Sequence, residues 1–200
     1  MTGRDLAERR GMETEVYEPA EDSHLLAETA AGRIGSDDRV LDCGTGSGYV
    51  GTHVAAVSGA RVVASDVNPH ACRRARGEDL EAVRGDLLGP FSDESFDAVL
   101  FNPPYLPTDP ENEWDDWMER ALSGGESGRA VIEPFLRAVG RVLAPGGRAF
   151  VLVSSLTGYE AVLDLAREAG LAAESLRDES YPFETLTVLS LSRRSRTAHD

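Results

Sequence analysis

The amino-acid sequence predicts an α/β protein built on a seven-stranded, mostly parallel sheet. Short β-like runs alternate with helical segments along most of the chain, which is typical of such a sheet. The last two runs are joined only by "DESYPFE", which is too short for a crossover helix, so we expect them to pair antiparallel. The strand candidates are Arg39–Cys43, Arg61–Ser65, Glu81–Arg84, Phe96–Phe101, Gly147–Ser154, Ala172–Arg177 and Thr185–Ser192.

The helical segments between these strands are indicated by the spacing of their apolar residues. In Glu21–Arg33 the apolar residues recur at helical spacing, and two acids at its start suit a helix amino terminus. "APGG", residues 144–147, predicts a turn between a helix and a strand. Residues 1–15 are polar and charged, so we expect a flexible segment there and one domain over residues 16–200. The other helix candidates are Gly48–Ser58, Pro69–Arg76, Ala130–Val142 and Gly158–Glu168.

The charge of the chain is strongly acidic. There are 35 acidic and 20 basic residues, giving a net charge of −15, and every basic residue is arginine. This composition suggests a salt-loving microbe, because excess carboxylates keep a protein dissolved at high ionic strength. A negative charge normally argues against nucleic-acid partners, but at molar salt the Debye length is only about 3 Å and this argument weakens.

The sequence has no features of a membrane, secreted or metal-binding protein. It has no apolar run of membrane-spanning length and no secretion signal, so we expect a cytoplasmic protein that does not enter membranes. Cys43 and Cys72 lack the paired spacing of a zinc or redox site, and the histidines are scattered, so we expect no metal site.

A glycine loop and two acids follow the first three strand candidates. In "VLDCGTGSGYVG", Gly44, Gly46 and Gly48 permit close approach of a ligand, and the next helix offers free N–H groups. Asp66 ends the second strand, where an acid can accept both ribose hydroxyls, and Asp86 follows the third strand, where it can accept from an exocyclic amine. A nucleotide-like cofactor is therefore expected. NAD is a rival ligand, but its fingerprint is G-x-G-x-x-G, whereas the first glycines after the strand read G-T-G-S-G, from Gly44 to Gly48.

The fourth strand candidate runs into "FNPPYLP". Pro103 and Pro104 lack backbone donors and fix φ near about −65°, so neither a helix nor a central strand continues through them. Asn102 and Tyr105 therefore lie in a stiff loop at the end of the strand.

Together these motifs resemble the S-adenosylmethionine-dependent methyltransferases. "LDCGTGSG", "ASDVNP", "GDLL" and "FNPPY" carry that resemblance in order and spacing. "YEPAEDSHLL", "NPPY" and "ALSGGESGR" more narrowly resemble the HemK/PrmC-type glutamine N5-methyltransferases that modify the GGQ loop of translation release factors. The resemblance implies the class I Rossmann-like fold, with helices on both faces of the sheet. Since the "YEPAED" motif begins at residue 17, the chain is similar to the compact archaeal and eukaryotic type.

The resemblance also implies roles for residues. Asn102 Oδ1 and the Pro103 carbonyl would each accept one hydrogen of the substrate amide, and Tyr105 would lie against its plane, aiming the nitrogen at the sulfonium methyl group. The cofactor-binding residues would be Ser23, Asp42, Gly44, Gly46, Asp66, Asp86, Leu87 and Asn102. For Ser23 the alternative is a helix cap.

The partners implied by the resemblance are a release factor as substrate and a small zinc-binding activator protein. The activator would pair with the edge strand Glu81–Arg84, beside Leu80 and Val83. Acidic "TDPENEWDDWMER", Thr108 to Arg120, forms either a lid or rim of the substrate site, or a solvated helix start with Trp114 and Trp117 packed at i, i+3 spacing. The alternative function is methylation of an exocyclic amine of adenine or guanine in nucleic acid. It would predict a basic groove or an added binding module, and the sequence has neither.

Overall fold

The computed structural model describes Val16, residues 18–108 and residues 117–194. The strands are β1 Arg39–Cys43, β2 Arg61–Asp66, β3 Glu81–Arg84, β4 Phe96–Phe101, β5 Leu143–Ser154, β6 Leu171–Ser180 and β7 Thr185–Arg193. The helices are α1 Glu21–Ala31, α2 Tyr49–Ser58, α3 Pro69–Gly77, α4 Trp117–Leu122, α5 Ile132–Val142 and α6 Tyr159–Glu168, with a short 3-10 turn at Ser155–Thr157. The predicted flexible segment over residues 1–15 lies outside the described residues.

The strands form one seven-stranded sheet in the order β3-β2-β1-β4-β5-β7-β6. Strands β1 to β5 pair in parallel, whereas β7 pairs antiparallel with both β5 and β6. The predicted α/β sheet with one reversed strand is therefore confirmed. β3 and β6 are the two edges of the sheet.

Helices cover both faces of this sheet, because residues along the central strands alternate between two apolar cores. In β4, Ala98 and Leu100 face the core under α1 and α2, whereas Val99 and Phe101 face the core under α5 and α6. Burial on both faces explains why the central strands read as continuous apolar runs rather than alternating ones. No described helix is long and apolar enough to cross a membrane.

The "APGG" segment, residues 144–147, was predicted to be a turn between a helix and a strand. That prediction is wrong, because the segment lies within β5. β5 begins at Leu143, which pairs with Phe96, and the register then shifts before Arg148 pairs with Ala98. The segment is an irregularity within the strand, and a Cβ at Gly147 would lie 3.0 Å from the Phe96 and Ala144 carbonyl oxygens. Glycine and proline, which usually end a strand, are tolerated within one at such a bulge.

Candidate active site

A cavity of about 1030 Å³ opens at the carboxyl ends of β1 to β4. This is the edge at which open α/β sheets bind ligands, and the volume lies at the upper end of the roughly 300–1,000 Å³ usual for ligand pockets. It offers room for a nucleoside cofactor and part of a substrate. All the residues predicted for the site line it: Ser23, Asp42, Gly44, Gly46, Asp66, Asp86, Leu87, Asn102, Pro103 and Tyr105.

The glycine loop forms one wall of the cavity. Gly44, Gly46 and Gly48 have φ values of 67°, 52° and 86°, which residues with a Cβ rarely adopt. Gly48 is the N-cap of α2, so the helix begins at Tyr49, one residue later than predicted. The ring of Phe101 lies directly beneath Gly44, 3.5 Å from where a Cβ would be. The loop is thus packed from below and open toward the cavity.

The buried side chain of Asp42 links the glycine loop to α2 by hydrogen bonds. Its Oδ2 accepts hydrogen bonds from Thr45 Oγ1 at 2.6 Å and from the Gly51 N–H at 3.0 Å. Burial raises the pKa of Asp42 to about 6, against the opposing effect of these two hydrogen bonds. The structure therefore gives Asp42 a loop-supporting position at the base of the cavity, in addition to the lining role implied by the resemblance.

Asp66 and Asp86 lie at neighbouring strand ends, as the sequence predicts. The Asp66 carboxylate accepts from the Gly46 N–H at 3.0 Å and from the Asn68 N–H at 2.8 Å. Burial raises the pKa of Asp66 above its ordinary value, and the backbone donors oppose that rise. Each carboxylate oxygen has about two acceptor positions, so capacity remains for two ligand hydroxyls. The Gly85 N–H donates to the Asp66 carbonyl at 3.0 Å and brings Asp86 beside Asp66.

Leu87 has a strained backbone. Its φ is 44°, a conformation that costs a residue with a Cβ about 1–3 kcal/mol and is concentrated at ligand sites. The next residue, Leu88, is buried in the core under α5, so the strain is held by packing. Leu87 lines the cavity next to Asp86, the position that the resemblance implies for an adenine ring.

The start of α1 lies against the loop that follows β4. Asn102 Nδ2 donates to Ser23 Oγ at 3.4 Å, and Tyr105 Oη donates to Asp22 Oδ2 at 3.5 Å. Ser23 in turn donates from its N–H and Oγ to Asp22 Oδ1, at 2.5 and 3.1 Å. Asn102 Oδ1 is buried and has no hydrogen-bond partner among the described residues. A buried acceptor without a partner is costly, and it suits a site whose donor is the substrate.

Several residues of the cavity are not identified by sequence reasoning. Asp22 was predicted only as an acid at a helix amino terminus, yet it is buried and contacts Tyr105. Tyr181, Glu184 and Leu186 enter from the β6–β7 hairpin, far away along the chain. Trp117 also lines the cavity, which favours the rim interpretation of the acidic insertion, while Trp114 lies outside the described residues.

The electrostatic character of the cavity is acidic. Among the described residues that line it there are six acids and no arginine or histidine. The acids are Glu21, Asp22, Asp42, Asp66, Asp86 and Glu184. The cavity therefore favours cationic ligands over anionic ones.

Fold and site together define a class I methyltransferase. Residues 19–115 match the family model described as "Methyltransferase small domain". Among solved structures, the chain is similar to the E. cuniculi Mtq2-Trm112 complex, which is described as responsible for the methylation of the eRF1 translation termination factor. The TM-score is 0.74 and the identity 30%, over 90% of this chain and 99% of that one.

Two curated relatives match over almost their whole length. A putative protein N5-glutamine methyltransferase of Methanocaldococcus jannaschii is 33% identical, over 88% of this chain and 91% of the relative. Methyltransferase HEMK2 of Homo sapiens is 32% identical, over 92% of each chain. The chain therefore belongs to the HEMK2-like family of protein N5-glutamine methyltransferases, and the resemblance drawn from the motifs is confirmed.

Proposed function

We propose that this protein transfers a methyl group from S-adenosylmethionine to the side-chain amide nitrogen of the GGQ glutamine in an archaeal translation release factor. The observation that carries the proposal is the buried, unpartnered Asn102 Oδ1, next to Pro103 and Tyr105 in the acidic cavity. The eRF1 methylation described for the Mtq2-Trm112 neighbour supports the choice of substrate.

The residues of the cavity fit S-adenosylmethionine. When bound, this molecule supplies an electrophilic methyl group on a positively charged sulfur. Asp66 would accept the two ribose hydroxyls, and Asp86 with Leu87 would hold the adenine. Ser23, Asp42 and the Gly44–Gly46 segment would surround the methionine end, where the acidic lining favours a cation.

The loop after β4 would prepare the acceptor. A primary amide nitrogen is a poor nucleophile because its lone pair is delocalised into the carbonyl. Asn102 Oδ1 and the Pro103 carbonyl would each accept one amide hydrogen and stabilise the positive charge that develops on nitrogen. Tyr105 would restrict the amide plane, since its hydroxyl is bonded to Asp22. As the new N–C bond forms, the bond between sulfur and the methyl carbon would break and leave S-adenosylhomocysteine. The nitrogen would lose its proton to water only at that stage, so no strong base is needed beforehand.

Nucleic acid is a poor substrate for this cavity. A phosphate backbone would approach six acids with no arginine or histidine among the described lining residues. Methylation of an exocyclic base amine is therefore disfavoured as the alternative, although the Asn102–Tyr105 loop would suit such an amine.

We further propose a small zinc-binding activator at β3. β3 is an edge strand of the sheet, and its residue Val83 is 38% exposed. A strand of a partner protein can therefore pair with β3. The complex of Mtq2 with Trm112 supports a small partner. Leu80 does not contribute apolar surface as expected, because it is only 8% exposed and packs in the core under α1 and α2. Zinc in that partner, a cytoplasmic location and a salt-loving source stay predictions.

The test of the function is a transfer assay with labelled S-adenosylmethionine in high salt. Archaeal release factor and its GGQ→GGA variant are compared, each with and without the candidate activator. We expect label on the release factor and none on the GGA variant. Undiminished labelling of the variant, or labelling only of added RNA, would contradict the glutamine substrate.

Asp66→Ala should weaken S-adenosylmethionine binding by about 10-fold or more. The variant removes the acceptors proposed for the ribose, and it also releases the Gly46 N–H that shapes the glycine loop. Calorimetric titration measures the affinity. The control is Asp164→Ala, which removes an exposed acid on α6 that does not line the cavity. Equal affinity in both variants would remove Asp66 from the cofactor site.

A further inference from the structure

The tip of the β6–β7 hairpin, residues 181–184, borders the cavity on the side away from the nucleoside acids. β7 runs antiparallel to β5, so the tip lies beside Ser154 at the carboxyl end of β5. Tyr181 and Glu184 line the cavity there, whereas Asp66 and Asp86 line it at β2 and β3. The sheet order thus separates a cofactor half of the cavity from a half left for the substrate.

This hairpin tip is held in place by hydrogen bonds at both ends. The Tyr181 N–H donates to the Glu184 carbonyl at 2.7 Å, which closes the turn. Ser154 Oγ donates to Glu184 Oε2 at 2.5 Å, and the Thr185 N–H donates to Ser155 Oγ at 3.0 Å, which fasten the turn to the end of β5. The position of the tip relative to the cavity is therefore fixed by contacts.

Phe183 stands at the centre of this tip and is 92% exposed. Single exposed apolar residues are common on protein surfaces and by themselves mean little. Phe183 differs in its position, because the first and last residues of the same tip, Tyr181 and Glu184, both line the cavity. An aromatic side chain beside a cavity mouth is the usual kind of anchor in a protein interface, since it brings large contact area at low cost in conformational entropy.

The surroundings of the tip are acidic. Tyr181 Oη donates to Glu179 Oε2 at 2.8 Å, and Glu21 at the exposed start of α1 lines the same cavity as Tyr181. The hydrogen bond to Glu179 is the main cause that raises the pKa of the Tyr181 hydroxyl, and the charge of Glu21 adds to it. Arg177, a cation on β6, is neutralised by ion pairs with Glu28 and Glu179. A chain that docks here meets one apolar anchor amid negative charge.

We propose that the tip 181–184 is a docking surface for the protein substrate. Phe183 inserts into an apolar site of that protein, and basic residues flanking the target glutamine face Glu21 and Glu184. This inference rests on the proposed function and deepens it. At high ionic strength, salt screens the attraction between these acids and basic residues of the substrate. The apolar contact of Phe183 is not screened, so it would still contribute to binding under those conditions.

The test compares Phe183→Ala with Val57→Ala. Val57 is 60% exposed on α2 and does not line the cavity, so Val57→Ala removes exposed apolar surface at a place away from the site. With release factor as substrate, we expect Phe183→Ala to raise KM about 10-fold with kcat and cofactor affinity unchanged, at both 0.1 M and 1 M salt. Val57→Ala should match the wild type. Glu21→Gln should raise KM only at 0.1 M salt, where the Debye length is about 10 Å.

The outcomes separate the two proposals. If the wild type neither binds nor methylates release factor, the proposed function fails and the docking surface fails with it. If the wild type methylates release factor and Phe183→Ala has an unchanged KM, the docking surface alone is overturned. Sedimentation of the free protein provides a further check. A dimer that Phe183→Ala converts to monomer would assign the tip to self-association and would also overturn substrate docking.

Discussion

Replacing Asn102 by alanine should lower kcat by about 10²–10³-fold, the usual cost of removing one preorganised group that stabilises charge in a transition state. Asn102 Oδ1 has no hydrogen-bond partner among the described residues, so its removal breaks no hydrogen bond within that part of the protein. The donor side of the amide makes only a 3.4 Å contact with Ser23 Oγ. Cofactor affinity should therefore stay within a few-fold of wild type, as measured by calorimetry beside single-turnover transfer.

Asn68→Ala is the matched control. Asn68 also lines the cavity, but its Oδ1 already accepts from the His70 N–H at 2.8 Å as the N-cap of α3. Loss of this cap should cost about 1 kcal/mol of stability and leave kcat close to wild type. If Asn102→Ala kept wild-type turnover, the role assigned to Asn102 would be wrong, although the family and fold would still stand.

The nucleoside side of the site was predictable from sequence for a physical reason. Parallel strands place their carboxyl ends at one edge, so residues that follow β2 and β3 must meet there whatever the intervening helices do. Asp66, Asp86 and the glycine loop could thus be placed from local patterns alone. The NPPY loop was predictable in the same way, because Pro103 and Pro104 force the chain out of β4.

The substrate side was not predictable in this way. Glu184 and Tyr181 reach the cavity because β7 pairs with β5 as well as with β6. The short connection predicts the pairing of β6 with β7, but no local pattern encodes the pairing of β7 with β5. Asp22 shows the same limit, because its position in the first turn of α1 explains an acid there but not its contact with Tyr105. The start of β5 was also missed, since glycine and proline in "APGG" locally favour a turn and only pairing with Phe96 overrides it.

The motif "ALSGGESGR" acquires a physical explanation from its packing against the catalytic loop. The Gly124 N–H donates to the Leu106 carbonyl at 2.9 Å, and the Leu106 N–H donates to the Leu122 carbonyl at 3.0 Å. Gly128 has a φ of 70°, and a Cβ there would lie 2.7 Å from the Tyr105 carbonyl oxygen. The two loops lie backbone against backbone, so the glycine is required by close approach as well as by its φ.

Gly128→Ala should therefore lower kcat by about 10–100-fold. The added methyl group must push the Tyr105 backbone away, and a displacement of about 1 Å can cost about 10² in rate when it misaligns reacting groups. Asp66 and Asp86 lie at other strand ends, so cofactor affinity should change little. The measurement is single-turnover transfer, with calorimetry for cofactor and thermal unfolding for stability.

Gly170→Ala separates this steric effect from backbone strain. Gly170 has a φ of 75°, close to that of Gly128, but a Cβ there would meet nothing within 4 Å. Both variants carry the left-handed backbone penalty of about 1–2 kcal/mol, so both should lose stability. Only Gly128→Ala should lose turnover beyond that shared effect. Equal turnover in the two variants would mean that contact with the Tyr105 carbonyl does not position the catalytic loop, and the motif would then serve folding alone.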